Sequence, residues 1–133
     1  MKDMVYKPKS ERELLEHDTY KGHEFYVISL GTHPCAYVKL RDDLFIGKMD
    51  AYDLNVHGGI TFRDTVLNTG EGYVKGRILG WDYAHAGDYM GYYETDDVYS
   101  SFMNEYRYTT EEIISECKRA IDEIISRSEV TKQ

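Results

Sequence analysis

The sequence predicts an α+β fold: a small, mostly antiparallel sheet packed by a C-terminal amphipathic helix, in a single domain spanning 1–133 with its core from about residue 10 to 127. Three observations predict it. Apolar residues recur with a clear helical period near the C-terminus, in YTTEEIISECKRAIDEIISRS. The middle of the chain instead carries short runs rich in β-branched and aromatic residues, cut by glycines. The 133 residues contain no internal repeat, low-complexity tract or Pro/Ser-rich linker that would divide them.

Taken in order, the elements begin with a short helix expected from Ser10, where Glu13 follows three residues later and Leu14 and Leu15 would face inward. Strands are expected in EFYVISL (24–30) and CAYVKL (35–40), joined by a hairpin turn at GTHP in which Pro34 fixes the chain. GITF (59–62) and YVKGRILGW (73–81) are two further strands, and the polar turn NTGEG, Asn68 to Gly72, lets them pair antiparallel. The segment 82–106 holds six acidic residues, six tyrosines and no Lys or Arg. Its lack of a period suits a functional loop or, equally, a solvated acidic face. The last helix starts at Thr109, a cap that Glu112 completes as a capping box, with Tyr108 placed to staple onto Ile113. Its inward stripe is Ile113, Ile114, Cys117, Ala120, Ile121, Ile124 and Ile125.

Composition narrows function. Sixteen basic against 24 acidic residues give a net charge of -8, which opposes binding to long DNA or RNA but leaves room for one small nucleotide served by a few local cations. No apolar run approaches the roughly 18 residues of a membrane span, and the start has no signal-peptide core, so a cytoplasmic protein without a membrane partner is expected. Cys35 and Cys117 match no zinc or redox spacing and read as free buried thiols. His17 and His23 read as surface positions.

The chemistry-bearing residues cluster in two stretches, VHGGITF (Val56 to Phe62) and GWDYAHAGDYMG (Gly80 to Gly91). Neither a helix nor a strand gathers Asp82, His85 and Asp88 on one face, whereas a glycine-rich loop does. His57 would complete two imidazoles and two carboxylates, a set that suits Zn or Mn better than Ca or Mg. The commoner alternative is that each side chain caps a turn or bonds a backbone group. Around this set, His33 is a candidate general acid, Arg63 and Arg77 are candidate phosphate contacts, and Trp81 and Tyr83 are candidate substrate contacts. GEGYVKG lacks the Lys-Ser/Thr pair of a phosphate loop and reads as a hairpin turn. Cys35 near His33 has no third orienting group, so an inert thiol is expected there.

VHGGITF, then GWDYAHAGD, then a helix containing SECKRAIDEI resembles a family of small phage- and prophage-encoded proteins with a histidine-glycine-glycine turn and an Asp-x-x-His-x-x-Asp loop. GTHPCAYVKL is similar to that family's first hairpin. The resemblance runs from about residue 23 to 125 and implies a phage accessory protein with a counter-defence role in the host cytoplasm. It carries no established activity. It marks His33, His57, Asp82, His85 and Asp88 as matching positions. The leading expectation is a metal-assisted hydrolase, a phosphodiesterase acting on a nucleotide-like signal, with His33, His57, Asp82 and His85 catalytic and His57, Asp82, His85 and Asp88 holding the metal. The alternatives are a non-catalytic protein that sequesters such a nucleotide, and an acidic inhibitor of a host enzyme. A homo-oligomer is compatible with all three.

Overall fold

A computed structural model describes residues 12–31, 33–83 and 108–131. They form a five-stranded, wholly antiparallel sheet with a C-terminal helix across one face. The strands are β1 (Glu13–Tyr20), β2 (His23–Ser29), β3 (Pro34–Lys39), β4 (Phe62–Asn68) and β5 (Tyr73–Asp82), in the order β1-β2-β3-β5-β4. The helices among the described residues are α1 (Lys48–Tyr52) and α2 (Thr110–Thr131).

The expected helix from Ser10 is overturned: residues 13–20 are β1, paired antiparallel with β2 from Glu13↔Ser29 to Tyr20↔His23. The cause lies just beyond them. Lys21 and Gly22 both take positive φ, 52° and 83°, which is the two-residue hairpin turn that folds β1 back on β2. Eight residues gain a ladder of backbone bonds along a buried strand, and this outweighs a weak local helix signal. The same hairpin corrects the reading of His23, which is fully buried at the start of β2, on the face that carries Phe25 and Val27. His17 is half-exposed as expected, stacked on Tyr26 and bonded to Glu24.

β4 begins where GITF ends and runs on through the polar RDTVLN. Gly58 and Gly59, at φ 71° and 83°, keep the residues before it in a turn. Most β4 side chains are exposed, so this edge strand carries no apolar alternation to read. The NTGEG turn does join β4 to β5: Thr69 N–H donates to Gly72 O at 2.9 Å and Asn68 pairs with Tyr73.

Apolar side chains pack on both faces of the sheet. The larger cluster joins Phe25, Val27, Val38, Leu79 and Trp81 to Ile113, Cys117, Ile121 and Ile124 of α2. A smaller cluster on the other face contains Tyr26, Ile28, Cys35, Tyr37 and Ile78. Because β5 lies between β3 and β4, the chain from Leu40 to Thr61 must cross the helix-side face to reach the edge, and it buries Leu44, Ile46, Ala51, Leu54 and Val56 on the way.

The start of α2 is the predicted capping box: Glu112 N–H donates to Thr109 Oγ1 at 3.1 Å, and Thr109 N–H to Glu112 Oε1 at 2.8 Å. Both thiols are buried and free. Burial pushes Cys117 up to about 12 and Cys35 up to about 11, the inert direction. Thr109→Ala should cost about 1 kcal/mol of stability. Gly80→Ala should cost about 1–3 kcal/mol, because its Cβ would come within 2.5 Å of the Tyr37 ring in the sheet interior. Urea unfolding midpoints measure both.

Candidate functional site

Three predicted stretches converge at one end of the sheet. Cys35 of β3 pairs with Asp82 of β5, and Tyr83 N–H donates to Pro34 O at 3.1 Å, which brings the GTHP turn beside the GWD stretch. Thr61 N–H donates to Gly80 O at 3.0 Å and ties VHGGITF to the same place. The His57 turn is closed by Gly59 N–H donating to Val56 O at 2.9 Å, with Gly58 supplying positive φ at the third position.

His57 sits in an aromatic and carboxylate setting that the sequence did not announce. Its ring stacks on Tyr83 at 4.7 Å and 10° and meets Tyr108 edge-on at 4.9 Å, with Nδ1 3.3 Å from the Tyr108 hydroxyl. Its backbone N–H donates to Glu116 Oε2 of α2 at 2.8 Å. The other oxygen of Glu116 accepts the Tyr83 hydroxyl, and that hydroxyl oxygen accepts the Trp81 indole N–H at 3.0 Å. Burial holds the Tyr83 phenol far above its usual range; Glu116 adds to this and the Trp81 bond opposes it, so Tyr83 stays a donor. One half-buried glutamate therefore clamps the histidine turn and the end of β5 onto the helix. The available signal was its position: Glu116 and Glu123 stand seven apart beside the apolar stripe, and Glu123 likewise accepts a backbone N–H, from Asn55 at 3.0 Å.

The two central motifs meet, but His57 and Asp82 face opposite sides of the sheet. Trp81 and Tyr83 belong to the helix-side cluster, and the His57 ring stacks on Tyr83 there. Asp82, between them, turns to the far face with Cys35 and accepts the Thr61 hydroxyl at 3.1 Å. His33 lies at the same sheet end, its carbonyl accepting Leu30 N–H at 2.9 Å. Trp81 and Tyr83, expected to touch a ligand, are each 1% exposed and spend their surface on packing. His85 and Asp88 lie outside the described residues, among which no three His, Cys, Asp or Glu side chains are grouped to hold a metal.

Arg63 and Arg77 do come together. They line a cavity of about 340 Å³ floored by Leu40, Ile46, Ala51 and Leu79, between the β4-β5 hairpin and the crossing segment. The pairing of β4 with β5 slips between Asp64↔Ile78 and Val66↔Lys75, so Thr65 faces the two residues Gly76 and Arg77, a bulge that aims Arg77. Arg63 pairs with Leu79 and shares its helix-side face. Arg41, Arg119 and Arg127 each lie on carboxylates. Among the described residues neither Arg63 nor Arg77 has such a partner; Arg77 donates to the Arg41 carbonyl instead. Asp64 also borders the cavity, but it is paired with Ile78 of the far face and its Oδ1 accepts the Thr65 N–H at 2.6 Å.

Comparison with protein-family models, curated proteins and solved structures finds no match.

The clamp is testable by a double-mutant cycle. Tyr83→Phe and Glu116→Gln should each destabilise the fold, with a coupling between about 0.5 and 3 kcal/mol rather than simple addition, since they share one buried bond. Denaturant unfolding of the four proteins measures it.

Proposed function

We propose that this protein captures a small, nucleotide-like anion in the Arg63/Arg77 cavity. The observation that carries this is the pair of guanidiniums on one cavity wall that have no carboxylate partner among the described residues, in a chain whose net charge is -8. Two neighbouring guanidiniums on one wall offer an external anion paired charge-assisted hydrogen bonds. The cavity lies at the small end of the range of about 300–1,000 Å³ for ligand pockets, so it suits a mononucleotide and not a longer chain. Its aliphatic floor of Leu40, Ile46, Ala51 and Leu79 offers an apolar surface to a base. In the phage setting that the sequence resemblance implies, capture would remove a signalling nucleotide from host defence.

Sequestration is favoured over hydrolysis because His57 and Asp82, two of the proposed catalytic and metal-holding residues, face opposite sides of the sheet. Incubating the protein with adenosine monophosphate, cyclic adenosine monophosphate and adenosine, then denaturing it, decides between them. Phosphorylated ligands should bind, adenosine should not, and everything should be recovered intact with or without added Zn or Mn. A product that appears on adding metal and vanishes with a chelator would replace capture by metal-assisted hydrolysis. Arg63→Ala and Arg77→Ala should each weaken nucleotide binding about tenfold or more in calorimetry, as loss of a charge-assisted bond of about 1.5–3 kcal/mol requires. Unchanged affinity in both would end the assignment.

A further inference from the structure

His23 takes no part in the cavity wall, yet one residue, Arg41, joins it to Arg77. Its ring is fully buried, and Nδ1 lies 3.2 Å from the Arg41 N–H and 3.4 Å from the Lys39 carbonyl. A backbone N–H can only donate, so in the neutral ring Nδ1 accepts from Arg41 and the proton resides on Nε2. Nε2 has no hydrogen-bond partner among the described residues. The carbonyl of the same Arg41 accepts the Arg77 guanidinium. The side chain of Arg41 is fixed as well, by Asp43 at 3.0 Å and by the Lys21 carbonyl at 3.1 Å.

We propose that His23 is a positioning residue for the anion site: its neutral Nδ1 holds the Arg41 backbone through its N–H, the carbonyl of the same residue aims Arg77, and a proton on Nδ1 releases the hold. The inference rests on the anion-site reading and adds its regulation. The imidazolium carries N–H on both nitrogens, so Nδ1 can no longer accept from Arg41 and turns to the acceptor already beside it, the Lys39 carbonyl. The freed Arg41 backbone no longer fixes the carbonyl that sets Arg77 beside Arg63.

The surrounding charges are accounted for. Desolvation is the largest influence on His23 and lowers its pKa; the Lys39 carbonyl raises it, Arg41 and Arg77 lower it, and Asp43 raises it. Across on α2, Asp122 pairs with Lys21 and Lys118 lies over the Tyr20 ring, both on the neighbouring hairpin. The ring is therefore neutral at pH 7, and the switch lies below the ordinary histidine value of about 6.5. Linkage gives the sign: His23 stabilises the fold fully above its unfolded pKa, and that contribution is lost as pH falls through the window below about 6.5.

Plain electrostatics and positioning predict opposite outcomes. An added positive charge near two arginines should tighten anion binding in acid, whereas release of Arg77 should weaken it. Inorganic sulfate separates them, because its charge is constant across the histidine range of about pH 5 to 8. Wild-type affinity for sulfate, followed by the Arg63 and Arg77 side-chain resonances, should fall about fivefold or more from pH 7.5 to 5. In His23→Asn, whose side-chain oxygen can accept from Arg41 without titrating, it should change less than about twofold. Nitrogen shifts of His23 in the wild type should show the Nε2–H tautomer at neutral pH, independently of any variant's folding. Affinity that rises in acid, an equal fall in both proteins, a ring protonated on Nδ1 at neutral pH, or no sulfate binding would each overturn the proposal. Sulfate binding with this pH profile but no nucleotide binding would retire the nucleotide reading and leave the His23 device standing.

Discussion

The insertion of β5 between β3 and β4 is the constraint on which the rest of the molecule depends. It obliges the chain leaving β3 to travel over the helix-side face before it can form the edge strand. The crossing segment therefore becomes a second layer, packed beside α2 and sharing its core. The cavity exists because this layer and the β4-β5 hairpin do not close on each other at Arg63 and Arg77. At the other end of the segment, the histidine-glycine-glycine turn is brought against Tyr83 for the same topological reason.

Polar side chains, more than apolar ones, decide how that layer is seated. Three side chains of α2 reach across to it: Glu116 takes the His57 amide, Glu123 the Asn55 amide, and Arg127 lies 3.2 Å from Asp50 and 3.3 Å from Asp53. Backbone N–H groups of a non-repetitive segment have no ladder to join, so a carboxylate aimed from a rigid helix satisfies them. The buried hydroxyl of Tyr83 is satisfied through the same glutamate, which fastens the last turn of β5, the histidine turn and the helix as one unit. His23 is the counterexample, a buried ring with one nitrogen left over.

Charge is partitioned in the same way. Four cations among the described residues are matched by carboxylates: Lys21 by Asp122, Arg41 by Asp43, Arg119 by Glu116 and Arg127 by Glu123 and Asp50. Surface pairs of this kind add little stability. Arg63 and Arg77 differ in sharing one recess without a carboxylate partner among the described residues.

The sequence alone determined what depends on bonds between near neighbours. The capping box of Thr109 and Glu112, the inward stripe of α2 and the two hairpin turns at GTHP and NTGEG were all legible, because each is written within a few residues. The face of Asp82 was also readable in principle: with Trp81 and Tyr83 inward, period-two alternation sends the residue between them outward. Tertiary structure alone decided the rest. Whether residues 13–20 became helix or strand turned on a partner strand and a Lys-Gly turn rather than on their own propensities. Strand order, the burial of His23 and the reach of Glu116 to His57 join residues far apart in the chain, and no local period encodes which distant segments will exclude water together.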